Sequence, residues 1–510
     1  MKTIKKAIMP TILVTLIFFL NYYVFGMENT IIGPFLTLSF LKFRNMEDYR
    51  DCMLRSFGIY AVMAMAAWLA LLHPVLNVLC NGAALFWIGY FLIDEYNPLN
   101  YFPSGMALIF FQISPVPGRL LPLRILALFV SFFLVFLFLE FSRLLTKPQR
   151  MVERLAKEGL GLGEEMLDAL ETGDYEKADS LRLELCRINR EISLKIYESN
   201  RSSLKKVLVE NGCCDYIACF QMMNYLATVI LEQDVGEGKV QLEQLGRLLS
   251  EFKEADPKPR PHLYFRENPL DIRSFRLRFA LRQVIVMTPC LLYGCLCPWE
   301  NGYWLAISVF FMMIPVYEST FLRVSQRILG SLVGIAVCLV VYTVFPGFWA
   351  RVALMTIANF FIYCSGNYAS MVARITCSAL AMKLGTDTDL LVLGQRFFYT
   401  LAGAVIAVAA NLWVFRIRAW RQCQYVMELL NDLKGKMQQA AELIEETKRR
   451  KELDQMLVKS YLLSSRMQEF NDMANVHRRD DVDSFLKEHM LFTSRLILSK
   501  YVMKTTSIAF

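Results

Sequence analysis

The apolar residues of this chain are gathered into long runs separated by polar stretches. The runs fall almost entirely within residues 7–145 and 279–415, whereas residues 146–275 and 419–510 are rich in Glu, Lys, Arg, Leu and Gln. A bilayer core about 30 Å thick needs about 20 apolar residues per helix. Five runs come close to or reach that length: Ile8–Phe25, Leu54–His73, Pro122–Leu139, Val324–Val344 and Val392–Val414. The pattern predicts an all-α, polytopic membrane protein with two soluble parts.

The two apolar regions also match each other in sequence. An offset of 272 relates Arg55 to Arg327, Gly58 to Gly330, Pro74 to Pro346 and Arg124 to Arg396, and an offset of 276 relates Gly26 to Gly302. In register with the apolar runs, these matches predict an internal repeat: two six-helix membrane halves arranged in parallel. The second and fifth helices of each half are short for a bilayer, so we expect them to be broken, tilted or buried in protein.

This repeat predicts four segments. Residues 1–145 are the first membrane half, a degenerate copy, and residues 276–418 are the second. Each half is followed by a helical cytoplasmic domain, at residues 146–275 and 419–510, with the composition of helical bundles or coiled coils. In the first of these domains, the glycines at 159, 161 and 163 predict an interruption of a helix.

Composition and charge narrow the class of protein further. Hydrophobic residues make up 55% of the 510, and the mean hydropathy is +0.36, too high for an ordinary soluble chain. The net charge of +8 would suit nucleic acid, but the Lys and Arg residues gather beside the apolar runs. That is the positive-inside pattern, which makes the lipid bilayer the main partner, argues against nucleic acid, and places both termini and both soluble domains in the cytoplasm.

The sequence carries no sign of catalysis. It has thirteen Cys but no CxxC pair, and only four scattered His, so we expect no metal site and no cofactor. No Walker motif, kinase signature, nucleophile elbow or HExxH occurs. We therefore predict that the protein is not an enzyme, and that any transport is secondary, channel-like or powered by a partner.

Arginines within the predicted membrane helices are the candidate functional residues, because a charge there costs about 3 kcal/mol. Arg55 and Arg327 lie at the cytoplasmic ends of the third helices, Arg124 and Arg396 near the outer ends of the sixth, and Arg374 inside a fifth helix. One interpretation is that each snorkels to the interface. The other is that they form two cationic rings along a route for carboxylates, which Tyr303 and Asn367 could also line.

Small residues mark close helix contacts. Gly330 and Gly334 form a GxxxG pattern, and Gly403 lies among alanines in the last membrane helix. Such residues let helix backbones approach closely. This packing either surrounds a pathway or is packing alone.

The stretch GYWLAISVFFMMIPVYESTFLRVSQRILGSLVG, which begins at Gly302, resembles the central signature of the fusaric acid resistance (FUSC) and aromatic acid exporter superfamily. That signature runs Gly-Tyr-Trp, an apolar stretch, Pro, a polar link, then Arg-x-x-Gly-[ST]-x-x-Gly. Arg396 and Gly403 resemble its last-helix pattern. The first half departs from it, with Gly26-Met27-Glu28 in place of Gly-Tyr-Trp. The resemblance implies a bacterial plasma (inner) membrane protein with six-helix halves that exports aromatic or other organic acids.

The leading hypothesis is a secondary exporter or permease for small organic, including aromatic, acids. In it Arg327, Arg396 and Arg374 attract carboxylate, while Tyr303 and Trp304 line the outer mouth. A passive organic-anion channel and a membrane scaffold whose cytoplasmic helices recruit partners stay open, as does assembly into a homo-oligomer.

Overall fold

The structure is a computed structural model that divides the chain into two compact units. It describes residues 2–44, 46, 49–93, 99–145, 151–202, 213–232, 242–243, 245–247, 249–250, 273–297, 301–345, 347–364, 367–381, 390–442, 447–474 and 480–506. Regular structure in these ranges is entirely helical, so the all-α prediction is confirmed. The first unit, here called the membrane unit, comprises Met1–Thr146 and Pro269–Ala419. The second unit comprises Lys147–Asn268 and Trp420–Phe510.

The helices are numbered in chain order. They are α1 Lys2–Leu20, α2 Ile32–Phe43, α3 Tyr49–Ala70, α4 Pro74–Trp87, α5 Phe102–Ile113, α6 Leu121–Leu145, α7 Met151–Glu171, α8 Tyr175–Ser202, α9 Cys213–Glu232, α10 Phe275–Leu296, α11 Tyr303–Met312, α12 Thr320–Val344, α13 Phe348–Ile362, α14 Tyr368–Ala381, α15 Leu390–Trp413, α16 Ala419–Glu442, α17 Thr447–Met473 and α18 Asp480–Thr506. Two of them, α1 and α4, continue into short π-helical turns at Asn21–Phe25 and Ile88–Leu92.

Seven helical segments within the described residues have the length and apolar composition needed to cross a bilayer. They are Ala7–Phe25, Tyr49–Ala70, Pro74–Leu92, Gly118–Arg143, Phe275–Leu296, Thr320–Val341 and Leu391–Trp413. All seven belong to the membrane unit, and the five apolar runs of the sequence coincide with five of them. The protein is therefore embedded in a membrane.

The shorter helices of the membrane unit are largely enclosed by protein. Helix α11 has 10 residues and is about 15 Å long, half the thickness of a bilayer core. Most residues of α11 and of the 12-residue α5 are buried, in keeping with the expectation for the second and fifth helices. Helix α13, with 15 residues, is also short, which the pattern did not predict. Around them, longer helices expose apolar side chains such as Phe129, Leu329 and Val405, as a lipid-facing surface does.

The membrane unit has two faces, defined by the direction of the chain. We call the face where α1 begins the near face and the opposite one the far face. Contacts between helix ends show which ends share a face: the start of α3 meets the end of α6 where Arg50 pairs with Glu140. A close contact fixes the direction of α10. Gly82 of α4 lies beside Thr288, and Gly89 lies beside Ala280, so the two helices are antiparallel and α10 also begins at the near face.

Two buried arginines tie helix ends together, one at each face. At the far face, Arg124 donates hydrogen bonds of 2.6–3.2 Å to Asn29 Oδ1 and to the carbonyl oxygens of Glu28, Phe111 and Ser114. At the near face, Arg282 donates to Asn411 Oδ1 and to the carbonyl oxygens of Ile314, Pro315, Val414 and Phe415. Because every guanidinium nitrogen has an acceptor, both arginines serve as cross-links between helices.

Glycines allow close contacts between helices of the membrane unit. A Cβ atom at Gly330 would lie 2.4 Å from the carbonyl oxygen of Ala369, and one at Gly334 would lie 2.5 Å from that of Ala373. Helices α12 and α14 therefore touch backbone to backbone. Gly403 likewise brings α15 against α11, where a Cβ atom at Gly403 would lie 2.7 Å from Ser308 Cβ. These contacts hold α12 against α14 and α15 against α11.

The second unit is also helical. Its α7 and α8 are joined by a tight turn in which Gly173 has φ +75°, a conformation that favours glycine. The predicted interruption at residues 159–163 is wrong, since α7 is continuous there. Gly159 instead faces the ring of Phe220 on α9, only 2.5 Å from the place of a Cβ, so this glycine serves close packing.

A buried polar pair joins α17 to α18 in the second unit. Ser460 Oγ lies 2.6 Å from His489 Nε2, and both residues are almost fully buried. Burial, with the charge of Lys434 as a smaller cause, lowers the pKa of His489 to about 4. The imidazole is therefore neutral at pH 7.

Candidate functional site

The membrane unit encloses a cavity of about 740 Å³. Both halves of the chain line it. Its lining includes Glu28, Ser114, Asn301 and Trp304 at or next to the far-face ends of their helices. It also includes Lys42, Asn100, Tyr363 and Tyr368 at the near-face ends. The cavity therefore extends through most of the depth of the unit.

The charged lining of the cavity is mainly positive. Among its described lining residues, the cations are Lys42, Arg323, Arg327 and Arg396, and the only carboxylate belongs to the exposed Glu28. Three of the four cations come from the second half. Such a cavity attracts anions and repels cations.

Arg327 is the most deeply buried of these cations. Its side chain comes from α12, is 1% exposed, and lies 4.8 Å from the ring centroid of Phe311. None of its three guanidinium nitrogens donates a hydrogen bond to a described atom of the protein. This separates it from Arg124 and Arg282, which are equally buried but fully bonded. An ionised group removed from water needs a partner, so Arg327 is poised to hold an anion.

Arg396 occupies a second position in the same cavity. It comes from α15, is 3% exposed, and lies 5.2 Å from the ring of Trp304. Its Nε atom has no acceptor among the described residues. Arg396 and Arg327 are close enough for their charges to repel each other, and an anion between them would relieve that repulsion.

The near-face end of the cavity carries two further cations. Arg323 stacks on the ring of Tyr368 at 3.4 Å. The second cation is Lys42, whose Nζ donates a 2.6 Å hydrogen bond to Asn100 Oδ1. These partly exposed groups lie where an anion would pass between the near face and the buried arginines.

One face of α11 organises the site. Tyr303, Trp304, Ile307 and Phe311 line the cavity, at helical spacings of one, four and eight residues from the first. Trp304 and Phe311 are two turns apart, and the ring of each lies against the guanidinium of one buried arginine. Aromatic faces stabilise a guanidinium without consuming its N–H donors. The helix therefore holds two cations in place and leaves their donors available.

The predicted pathway residues divide into two groups. Arg327, Arg396, Tyr303 and Trp304 line the cavity. The other four are not among its described lining residues: Arg55, Arg124, Asn367 and Arg374.

These four residues have other positions or partners. Arg55 is exposed on α3, and Arg124 is the far-face cross-link. Asn367 Oδ1 accepts from the amide of Ala369 at the start of α14, as a helix cap does. Arg374 donates to the carbonyl oxygen of Phe361 at 2.6 Å. A hydrogen-bonded helix end, rather than a ligand, accounts for three of these polar groups.

Several lining residues had no distinguishing signal in the sequence. Lys42 was one of many basic residues flanking apolar runs, and Asn359 and Tyr368 lie on helices with no motif. Arg323 was visible four residues before Arg327, one helical turn away. That spacing puts both on one side of α12 and could have identified Arg323.

These features define a class: an integral membrane protein with a deep, positively charged cavity. Within that class, residues 289–410 match the family model described as fusaric acid resistance protein-like. This confirms the resemblance carried by the stretch from Gly302 to Gly334. The matched segment contains Arg323, Arg327 and Arg396, three of the four cations of the cavity.

Two curated relatives match part of the chain. An uncharacterized protein of Haemophilus influenzae is 29% identical over 142 residues, which are 27% of this chain and 20% of the relative. The inner membrane protein YccS of Escherichia coli is 29% identical over 161 residues, which are 30% of this chain and 22% of the relative. The matches thus span about a fifth of each relative's length. No solved structure matches the chain.

Proposed function

We propose that this protein moves small organic anions across a membrane through the cavity of the membrane unit. One observation carries the proposal. The guanidinium of Arg327 is buried in that cavity, and no described acceptor of the protein receives its hydrogen bonds. A permanent charge in such a place is stabilised by an anion that enters and leaves.

The lining of the cavity favours an organic anion over a small inorganic one. Around the cations lie broad apolar and aromatic surfaces, including those of Phe102, Phe110, Trp304 and Phe311. With a small inorganic anion bound, these apolar surfaces would stay exposed to water. An organic acid would instead cover them with its hydrocarbon part. The combination suits a carboxylate attached to a ring or a short chain.

Transport is favoured over simple binding because the cavity reaches towards both faces. Lining residues lie at helix ends on the far side, such as Glu28, and on the near side, such as Lys42 and Tyr368. A binding protein needs one entrance, whereas a transporter needs a site that both sides can reach in turn. The inner-membrane description of the Escherichia coli relative supports a plasma membrane location.

The proposal includes the organisation expected from the sequence. Residues 1–145 and 276–418 are then two six-helix halves of a parallel repeat, and residues 146–275 and 419–510 are cytoplasmic domains. The near face is the cytoplasmic one, because basic residues flank the helix ends there. The two halves differ at equivalent arginines, in keeping with a larger role of the second half in binding the anion. Arg124 is bonded to helix-end acceptors, whereas its counterpart Arg396 stacks on Trp304 within the cavity.

Labelling of single cysteines tests the orientation. Arg119 is exposed at the far face, and Asp174 is exposed in the turn between α7 and α8. In intact cells, a membrane-impermeant maleimide should label Arg119→Cys above the parent protein but leave Asp174→Cys at the parent level. The reverse result would overturn the orientation.

Flux measurements in proteoliposomes test the function. The purified full-length chain should transport a panel of ionised aromatic and aliphatic acids at pH 7.5. Arg327→Gln and Arg396→Gln should each reduce the flux by about 10- to 100-fold, since each removes a charge-assisted contact. Arg55→Gln, which removes an exposed arginine outside the cavity, is the matched control and should keep normal flux. Equal flux in all four proteins would contradict the proposal.

A passive channel is the second candidate, and the depth of the cavity is the observation that favours it. Electrophysiology in a planar bilayer separates the two mechanisms. A channel gives unitary currents, whereas a coupled carrier gives flux without them.

A further inference from the structure

The two buried arginines of the cavity are held at two different positions along α11. Arg396 is stacked on Trp304 and Arg327 on Phe311, and these two rings are seven residues apart on one face of α11. Seven residues correspond to about 10 Å along a helix. Each guanidinium therefore has its own aromatic residue along this helix.

The charge of this pair calls for two negative charges. Arginine stays protonated in proteins, so the buried pair carries two positive charges at any physiological pH. Arg327 and Arg396 are only 1% and 3% exposed, so the interaction between their charges is weakly screened. The only described carboxylate of the lining, Glu28, is exposed at the far-face mouth, and Arg323 and Lys42 add further positive charge at the near end. A monoanion would leave the buried pair with a net positive charge.

From this geometry we infer that the preferred ligand of the cavity is an organic dianion, with one acidic group on Arg327 and the other on Arg396. This inference rests on the proposed function and names its substrate class. The two acidic groups are held apart by a ring or a short chain, which lies along Ile307 and the aromatic face of α11. Arg327 and Arg396 are the residues that select for charge.

The selection has a simple physical basis. Each guanidinium forms charge-assisted hydrogen bonds with its own acidic group, and a ligand that lacks one group leaves a buried cation unbonded. Discrimination by an unsatisfied buried partner is stronger than discrimination by hydrocarbon size. We therefore expect that removing the second charge of the ligand weakens binding more than changing its length by one carbon.

Two probes of nearly equal shape test the inference on the unaltered protein. Terephthalate carries two carboxylates on a benzene ring, and monomethyl terephthalate has the same ring with one carboxylate esterified. Binding to the detergent-solubilised full-length chain is measured by titration calorimetry at pH 7.5. Terephthalate should bind at least about tenfold more tightly than its monoester. Equal or tighter binding of the monoester would overturn the inference while leaving organic-anion binding intact.

Variants then assign the two positions. In Arg396→Gln the ratio of the two affinities should fall to about one, because the site has lost the partner of the second carboxylate. Arg327→Gln should have the same effect on the ratio. Arg55→Gln should keep the ratio of the unaltered protein. An undiminished ratio in Arg396→Gln, or in Arg327→Gln, would overturn the assignment.

The two proposals fail in different ways. If the protein binds and transports both probes equally, the dianion preference is wrong and the proposed function stands. If neither probe binds and the flux panel gives no transport, both are wrong. Because the probe comparison uses no variant, a variant that does not fold leaves the test decisive.

Discussion

At the scale of single residues, the proposed function depends on which buried arginine is hydrogen-bonded. Arg282 and Arg327 are both almost completely buried in the membrane unit. Arg282 donates to five acceptors at the near face, whereas Arg327 has none among the described residues. The first arginine contributes to stability. In the proposed function the second binds the anion, and its burial is costly while no anion is bound.

This contrast predicts opposite effects of one substitution. Arg282→Met leaves buried carbonyl groups without donors and should destabilise the protein by about 3 kcal/mol. Arg327→Met removes a buried charge that has no acceptor among the described residues, and should stabilise the anion-free protein by about 1 kcal/mol or more. The measurement is the melting temperature in detergent, followed by intrinsic fluorescence. A similar loss of melting temperature in both variants would contradict the distinction.

His489 predicts a pH dependence in the second unit. Its pKa is about 4 in the folded chain and about 6.5 in an unfolded one, so the unfolded state binds more protons between these values. The contribution of the neutral imidazole is complete above pH 6.5 and is lost as the pH falls towards 4. It amounts to about 3 kcal/mol at most.

Hydrogen exchange of peptides from α17 and α18, corrected for intrinsic rates, measures this loss between pH 7 and pH 4.5. In the unaltered chain the protection should fall with pH. In His489→Gln, which keeps a side chain able to hydrogen-bond Ser460, it should fall less. The same decline in both proteins would rule out a role for this histidine.

At the scale of helices, the membrane unit combines long outer helices with short enclosed ones. The apolar runs predicted the long helices, because a lipid-facing helix must be apolar over about 20 residues. The same runs indicated that the second and fifth helices were short. They did not predict α7 to be continuous through Gly159, because the packing of this glycine against Phe220 is a tertiary contact that the sequence pattern does not show.

A pair of equivalent glycines tests the packing of α12 on α14. Gly330→Ala places a methyl group 2.4 Å from the carbonyl oxygen of Ala369, so the helices must separate, and we expect a loss of about 1–3 kcal/mol. Gly58 is its counterpart in the predicted repeat, and a Cβ atom there would have no atom within 4 Å. Gly58→Ala should therefore be neutral, or stabilising by up to about 1 kcal/mol.

Melting temperatures of the two variants provide the measurement, with transport rates as a second readout. Equal effects at Gly58 and Gly330 would show that the contact seen at Gly330 does not limit stability. A loss of transport in Gly330→Ala without a loss of melting temperature would place the contact in the transport cycle instead.

At the scale of the whole molecule, the candidate site belongs mostly to the second segment of the membrane unit, Pro269–Ala419. Arg323, Arg327 and Arg396 come from this segment, and the first segment, Met1–Thr146, contributes Lys42 and the mouth at Glu28. The sequence predicted Arg327 and Arg396 because charges are costly in membrane helices. It could not distinguish Arg396 from Arg124, because acceptors such as the Ser114 carbonyl are brought to Arg124 only by the fold.

The guanidinium of Arg327, which has no acceptor among the described residues, has a kinetic consequence for the proposed transport cycle. A carrier must return its site to the loading side, and an unoccupied return step exposes the full electrostatic cost of this charge. A return step with a bound anion avoids that cost, so we expect one-for-one exchange of anions to be faster than net transport. Liposomes preloaded with unlabelled terephthalate should accumulate the labelled compound several times faster than empty ones. Trans-stimulation would thus be the kinetic signature of a protein that is least stable without a bound anion.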